Sequence, residues 1–346
     1  MPEDSIEHID FENLNNRAIS QPLVEHIYTA DPSAHVFNGK IYIYPSHDID
    51  AGDAFDDLGS HFAMEDYHIL SIDSPTDLLA IDNGVALHVK DVKWAEKQMW
   101  APDAAEKDGK YYLFFPAKDY DGIFRIGVAI GDSPIGPFLP EPNAIKESLS
   151  IDPAVFKDND GSYYMYFGGI WGGQLQRWRN GVFNPEQAES PIAFLPKENE
   201  PSLCPKVAKL TDNLLEFAES PKDLLILDEN GNPLLQGDTD RRFFEASWMH
   251  QYNGKYYFSY STGDTHFLCY AIGDNPYGPF IYSGRILNPV VGWTSHHSIC
   301  EFNHRWYLFY HDSSLSNGVT HLRCVKITDL FYDEMGRIIT IEPYKT

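Results

Sequence analysis

The stretch Ala30-Asp31-Pro32-Ser33-Ala34-His35-Val36-Phe37-Asn38-Gly39-Lys40-Ile41-Tyr42-Ile43-Tyr44 places an acidic residue before a proline. A short apolar run, an Asn-Gly pair and an alternating aromatic strand follow. Asn-Gly between two such runs predicts a tight hairpin, because both turn residues tolerate positive φ. The same phrase returns down the chain. Met99-Trp100-Ala101-Pro102-Asp103 leads to Asp108-Gly109 and Tyr111–Phe115, and Ile151-Asp152-Pro153 leads to Asp160-Gly161 and Tyr163–Phe167. Glu245-Ala246-Ser247-Trp248 leads to Asn253-Gly254 and Tyr256–Tyr260, and His296-His297-Ser298-Ile299 leads to Asn303-His304 and Trp306–Tyr310. Five copies of one supersecondary unit define a repeat architecture.

Each unit continues past its hairpin. Asp66–Ser71 reads as a third strand of the first unit. In the second, Phe124–Ile130 runs into Gly131-Asp132-Ser133-Pro134-Ile135-Gly136-Pro137-Phe138. In the fourth, Phe267–Ile272 runs into the near-identical Gly273-Asp274-Asn275-Pro276-Tyr277-Gly278-Pro279-Phe280. Glycine and proline at these offsets fix a turn. A hairpin, a third strand and room for a fourth make a propeller blade. The sequence therefore predicts an all-β, five-bladed β-propeller of four-stranded blades, one domain over 1–346 with an irregular lead-in at 1–26. Lys206–Leu210 and Leu224–Leu227 are expected as outer strands of the third blade. Arg337–Ile341 closes the last unit. The acidic run His47–Asp57 lacks the spacing and closing glutamate of a calcium loop and reads as solvated.

With 26 basic and 51 acidic residues the formal net charge is −25. Such a surface repels the phosphate backbone of nucleic acid and anionic lipid, so neither is an expected partner. A neutral ligand such as a sugar is compatible with it. The lead Met1-Pro2-Glu3-Asp4-Ser5 is acidic and has no apolar run of a signal peptide. The four cysteines (Cys204, Cys269, Cys300, Cys324) lack metal-like spacing and read as reduced thiols. A cytoplasmic protein is the expectation, and homo-oligomerisation is left open.

In a propeller the innermost strand of every blade starts near the central axis, so residues heading those strands converge. Asp31, Asp152 and Glu245 hold this position, whereas Asp103 follows its proline. One Asp-Pro pair is an ordinary turn opener. Three carboxylates at equivalent places suit glycoside hydrolysis, in which one carboxyl protonates the leaving oxygen and an ionised one activates water or attacks. A third raises the acid's pKa by like-charge repulsion.

Ala30-Asp31-Pro32-Ser33, Trp100-Ala101-Pro102-Asp103, Ile151-Asp152-Pro153, Phe244-Glu245-Ala246-Ser247-Trp248 and His296-His297-Ser298, in this order on five repeats, resemble glycoside hydrolase family 43. The resemblance spans about Glu25 to Ile341. It implies a five-bladed propeller and an inverting enzyme with Asp31 as general base, Asp152 as the residue that orients and tunes the acid, and Glu245 as general acid. It also implies Trp100 and Ala101 as the wall of the terminal-sugar pocket, Arg323 as a ligand of sugar hydroxyls, and His47 near the pocket. His296, with His297 as the adjacent alternative, matches a histidine that holds a divalent cation on the axis. Calcium suits a mostly oxygen shell, with magnesium or manganese as substitutes. Of the tryptophans Trp171, Trp178, Trp248 and Trp293, Trp171 is the best placed to stack on sugar, because Gly168-Gly169 and Gly172-Gly173 flank it.

The segment Phe243–His250 resembles small, metal-dependent β-xylosidases. The expected activity is exo-hydrolysis of β-1,4-xylo-oligosaccharides, with α-L-arabinofuranosidase as the nearest rival. A non-catalytic sugar-binding propeller is the rival from another class, which the full set of three carboxylates argues against.

Overall fold

The computed structural model describes residues 9–346. The hairpin signals set the geometry of the blades. Asn38 and Gly39 take φ of 52° and 77°, and Asp108-Gly109, Asn253-Gly254 and Asn303-His304 repeat this paired positive φ. Such turns match the twist of the strands they join. Only the third hairpin differs, with Gly161 (φ 84°) alone in that region.

The first blade is β1 (Tyr28–Phe37), β2 (Lys40–Asp48), β3 (Asp66–Ile72) and β4 (Ile81–His88), in that spatial order. The second has β5 (Ala95–Lys97) and β6 (Asp103–Lys107) both paired to β7 (Lys110–Asp119), then β8 (Phe124–Gly131) and β9 (Leu139–Pro140). The third is β10 (Ala154–Lys157), β11 (Tyr163–Phe167), β12 (Lys206–Lys209) and β13 (Lys222–Asp223). After β14 (Ile226–Leu227) come β15 (Glu245–Tyr252), β16 (Lys255–Ser261), β17 (Leu268–Gly273) and β18 (Phe280–Leu287), the fourth blade. The fifth is β19 (His297–Phe302), β20 (Arg305–Asp312) and β21 (Cys324–Leu330). The inner strands touch in a ring: β1 lies against β6 and β19, and β10 against β6 and β15, while β15 meets β19.

The period-two alternation explains why blades stack. On β2, Ile41 and Ile43 pack with Tyr307, Phe309 and Val325 of the fifth blade. Tyr44, on the opposite face, packs with Tyr111, Leu113 and Phe115 of the second. Tyr112 and Phe114 turn the other way, onto Tyr163, Met165 and Phe167 of the third. Both faces of a blade are thus covered, and each large side chain so buried contributes about 1.5–3 kcal/mol.

Four expectations need correction. The lead-in contains a helix, α1 (Phe11–Arg17), started by the Asp10 carboxylate, which accepts the Asn13 N–H at 3.0 Å. This is an ordinary cap, and it suffices although no residue of the helix is buried. Residues 1–8 of the expected lead-in lie outside the described residues. The lead-in then bridges two blades: the Leu23 N–H donates to the Val325 carbonyl, and the Leu23 carbonyl accepts from Ala80. Ile226-Leu227 pairs in parallel with β18, in the fourth blade and not the third. The fifth sheet has three strands among the described residues. Asp333 folds the chain into a turn that accepts the Met335 and Arg337 N–H groups, and Ile341 ends beside Leu287 of the fourth blade.

Asp103 shows what the carboxylate after the second proline does. It is fully buried, meets His35 Nε2 at 2.6 Å and accepts the Val155 N–H at 2.5 Å. It therefore ties three inner strands, β1, β6 and β10. Asp103→Ala orphans a buried N–H and an imidazole, and is expected to cost about 3 kcal/mol. The check is the denaturation midpoint; an unchanged midpoint would remove Asp103 from the frame.

Candidate active site

The three carboxylates sit where the inner strands break regularity. Asp31 has φ 49° inside a register shift between Ala30 and Ser33; Asp152, just before β10, has φ 56°; and Ala246, with φ 66°, makes the bulge that follows Glu245. Non-glycine residues in this region cost about 1–3 kcal/mol and persist where the surroundings over-determine them. Bulges re-aim side chains. Here all three carboxylates line one cavity of about 520 Å³, a usual volume for a small-molecule site.

Asp31 is the most anchored. Arg323 Nη1 donates to its Oδ1 at 3.0 Å and Ser46 to its Oδ2 at 2.6 Å, while its own N–H donates to His311 Nδ1 at 2.9 Å. Burial opposes ionisation, but Arg323, His311, His296 and the Ser46 hydroxyl outweigh it and bring the carboxyl down to about 2. Arg323 is fixed from behind by Asp48, which accepts from Nη2 at 2.7 Å and Nε at 2.8 Å. The Phe62 ring lies 4.9 Å from the guanidinium carbon.

Asp152 and Glu245 have the opposite environment. Burial, then the charges of Glu245 and Asp31, push Asp152 upward. Burial and Asp31 push Glu245 up to about 8. The pair therefore keeps a proton that Asp31 gives up. Hydrogen bonding decides where it resides. Asp152 Oδ2 accepts the Ala246 N–H at 2.8 Å, which favours its anion. Glu245 accepts no hydrogen bond among the described residues, and it is the one of the three that is not fully buried. The proton belongs on Glu245. An ionised base and a protonated acid thus face one cavity.

The other expected residues divide. Trp100, Ala101, Trp171, Arg323 and His296 all line the cavity. Trp100 is held by its Nε1–H to the Phe62 carbonyl at 2.8 Å, and a side chain on Gly59 would strike its ring at 2.8 Å. Trp171 stands 5.7 Å from Trp293 and 5.5 Å from Phe244, ring to ring, and Trp293 also reaches the cavity. Trp178 and Trp248 do not line it; Trp248 donates to the Ile299 carbonyl inside the core. His47 is not brought to the cavity either. Its Nδ1 lies 2.6 Å from Asp66 Oδ1, between β2 and β3 of the first blade. His297 is wholly buried with Nε2 on the Ser259 hydroxyl at 2.6 Å, a structural contact.

Sequence reasoning missed Ser46, Thr294 and His311, and it read the run His47–Asp57, which contains Asp48, as solvated. Phe55, Asp56, Asp57, His61 and Phe62 in fact line the cavity. Asp56 builds that turn by accepting the Leu58 and Ser60 N–H groups at 2.9 Å. Ser46 and Asp48 had a signal: they continue the Tyr42, Tyr44 face of β2 by period two.

A protonated carboxyl and an ionised one, facing each other across a pocket walled by tryptophan and arginine, define a glycoside hydrolase. The comparisons give its kin. Residues 19–186 match the model of glycosyl hydrolases family 43. A xylosidase/arabinosidase of Bacteroides ovatus is 59% identical over 320 residues, 92% of this chain and 97% of its own. The xylosidase/arabinosidase 43A of Humicola insolens is 60% identical, over 93% of this chain and 99% of its own. The crystal structure of a family 43 β-xylosidase/α-arabinofuranosidase from a compost microbial metagenome, complexed with xylotriose in a calcium-free form, superposes with a TM-score of 0.92. It is 62% identical and covers 95% of this chain and 99% of that one. This chain belongs to glycoside hydrolase family 43.

Proposed function

We propose that the protein is an inverting exo-β-xylosidase that releases xylose from the non-reducing end of short β-1,4-xylo-oligosaccharides. The observation that carries this reading is the opposed ionisation of Asp31 and Glu245 across one pocket. The Glu245 carboxyl protonates the leaving oxygen, and the Asp31 carboxylate takes a proton from the attacking water. Asp152, negative and fixed by the Ala246 N–H, keeps Glu245 protonated. Arg323, held by Asp48, Asp31 and Thr294, keeps one Nη2 N–H for a sugar hydroxyl. The names of the relatives above, which pair xylosidase with arabinosidase, support a second activity on α-L-arabinofuranosides.

Side-by-side assays on 4-nitrophenyl β-D-xylopyranoside and 4-nitrophenyl α-L-arabinofuranoside test the assignment. Turnover of both is expected, with the larger kcat/KM on the xyloside. No turnover of the xyloside would overturn it, and retained configuration in the first-formed xylose, seen by NMR, would overturn inversion.

A divalent cation, calcium by preference, fits beside His296. Its Nε2 is buried with no hydrogen-bond partner among the described residues and faces the Asp152 carboxylate. His296 would hold the ion, with water supplying a mostly oxygen shell. Bound there, the ion supplies positive charge beside the carboxylates. Removing metal with a chelator is expected to lower kcat, and calcium, magnesium or manganese to restore it. His296→Ala should abolish that response; a variant with full activity and unchanged chelator sensitivity would place the ion elsewhere.

A further inference from the structure

His47, discarded from the sugar pocket, belongs to another group of side chains. It is the last residue but one of β2, beside Asp66 and His68 of β3, residues i and i+2 that share one face of the sheet. One ligand atom from each of the three lies within 4.8 Å of the others. The His47 and His68 rings are 4.5 Å apart, centroid to centroid. His47 Nδ1 meets Asp66 Oδ1 at 2.6 Å, and His68 Nδ1 meets Asp82 at 2.9 and 3.1 Å. Asp82 is held in turn by His26 Nε2 at 2.8 Å and by the Gly84 N–H at 2.8 Å.

Asp82 fixes the tautomer of His68. A carboxylate oxygen accepts, so His68 Nδ1 carries the proton it donates to Asp82. That ring then presents the lone pair of Nε2, which has no hydrogen-bond partner among the described residues. A carboxylate behind a histidine is the arrangement that orients and strengthens a metal-bound imidazole. His47 Nδ1 and Asp66 Oδ1 already face each other, and these are the two atoms they turn to an ion.

We propose that His47 and His68, with Asp66 and solvent completing the shell, bind a transition-metal dication of the zinc, nickel or copper type. The site is separate from the cavity. Imidazole is a nitrogen donor that these ions prefer and calcium does not. Tetrahedral bonds of about 2.1 Å set ligand atoms about 3.4 Å apart, so side-chain rotation closes the group. The site is joined to the pocket through one peptide: His47 precedes Asp48, which holds Arg323, which donates to Asp31. An ion there stiffens that chain.

The test uses the full-length protein, stripped of metal and then kept in millimolar calcium so that a calcium site elsewhere is filled. Zinc and cobalt(II) are titrated by calorimetry and by visible absorption. One zinc equivalent and the d–d bands of a low-symmetry cobalt site are expected for the wild type and for His296→Ala. His68→Asn should lose both. Asp82→Asn, which leaves all three ligands in place, should weaken zinc binding by roughly 10–100-fold. Wild-type protein that takes up no zinc under these conditions, or His68→Asn that binds it equally tightly, overturns the proposal.

Discussion

Asp31→Asn is expected to lower kcat by about 10,000-fold, the upper range for loss of a general base. The loss should be equal on xylobiose and on a dinitrophenyl xyloside, because a base acts on the water and is indifferent to the leaving group. The carboxylate is brought to about 2, so at working pH it is always ionised and always able to accept a proton. The amide cannot accept one. The fold tolerates the change, since Arg323 keeps both bonds to Asp48. A second signature separates a base from a structural anchor. The negative charge of Asp31 helps hold Glu245 protonated, and its removal lowers the Glu245 pKa. The residual activity of Asp31→Asn should therefore begin to fall at lower pH than that of the wild type. Retention of more than about a hundredth of the activity, or an unmoved alkaline limb, would assign the base elsewhere.

How far the sequence could be read follows from how local each signal is. The five hairpins rest on pairs such as Asn38-Gly39 and on alternation within ten residues, and both survive folding unchanged. The positions of Asp31, Asp152 and Glu245 were legible through repetition, because equivalent places in a propeller converge. The residues that give them their ionisation were not. Asp48 is 275 positions from Arg323, and the Asp31 N–H meets a histidine 280 positions away. No periodicity links such partners. The fifth blade misled for a related reason: the run Arg337–Ile341 has strand character, but the Asp333 turn carries it to the fourth blade. The run His47–Asp57 looked solvated because its charge dominates its composition; the loop it opens runs on to Phe62. Its aromatic residues and the missing side chain of Gly59 are what let it close on Trp100.

Glu245→Ala distinguishes the acid from its neighbours by the chemistry of the leaving group. A xylose alkoxide is a poor leaving group and needs a full proton transfer, whereas dinitrophenolate departs almost unaided. The variant is therefore expected to lose about 1,000- to 10,000-fold in kcat on xylobiose and no more than about tenfold on the dinitrophenyl xyloside. The pH dependence gives an independent sign. Glu245 must be protonated, so wild-type kcat/KM on xylobiose should be level from mildly acidic pH and fall as pH rises through about 8. That limb should vanish in Glu245→Ala on the activated substrate. Asp152→Asn tests the origin of the raised value. The repulsion between the two carboxylates is mutual, so an uncharged side chain at 152 makes ionisation of Glu245 easier. The asparagine oxygen still accepts the Ala246 N–H, which keeps the bulge and Glu245 in place. The alkaline limb should then move to lower pH with the leaving-group dependence intact. Equal losses on the two substrates in Glu245→Ala would show that this carboxyl delivers no proton, and Asp152, which shares its environment, would become the acid.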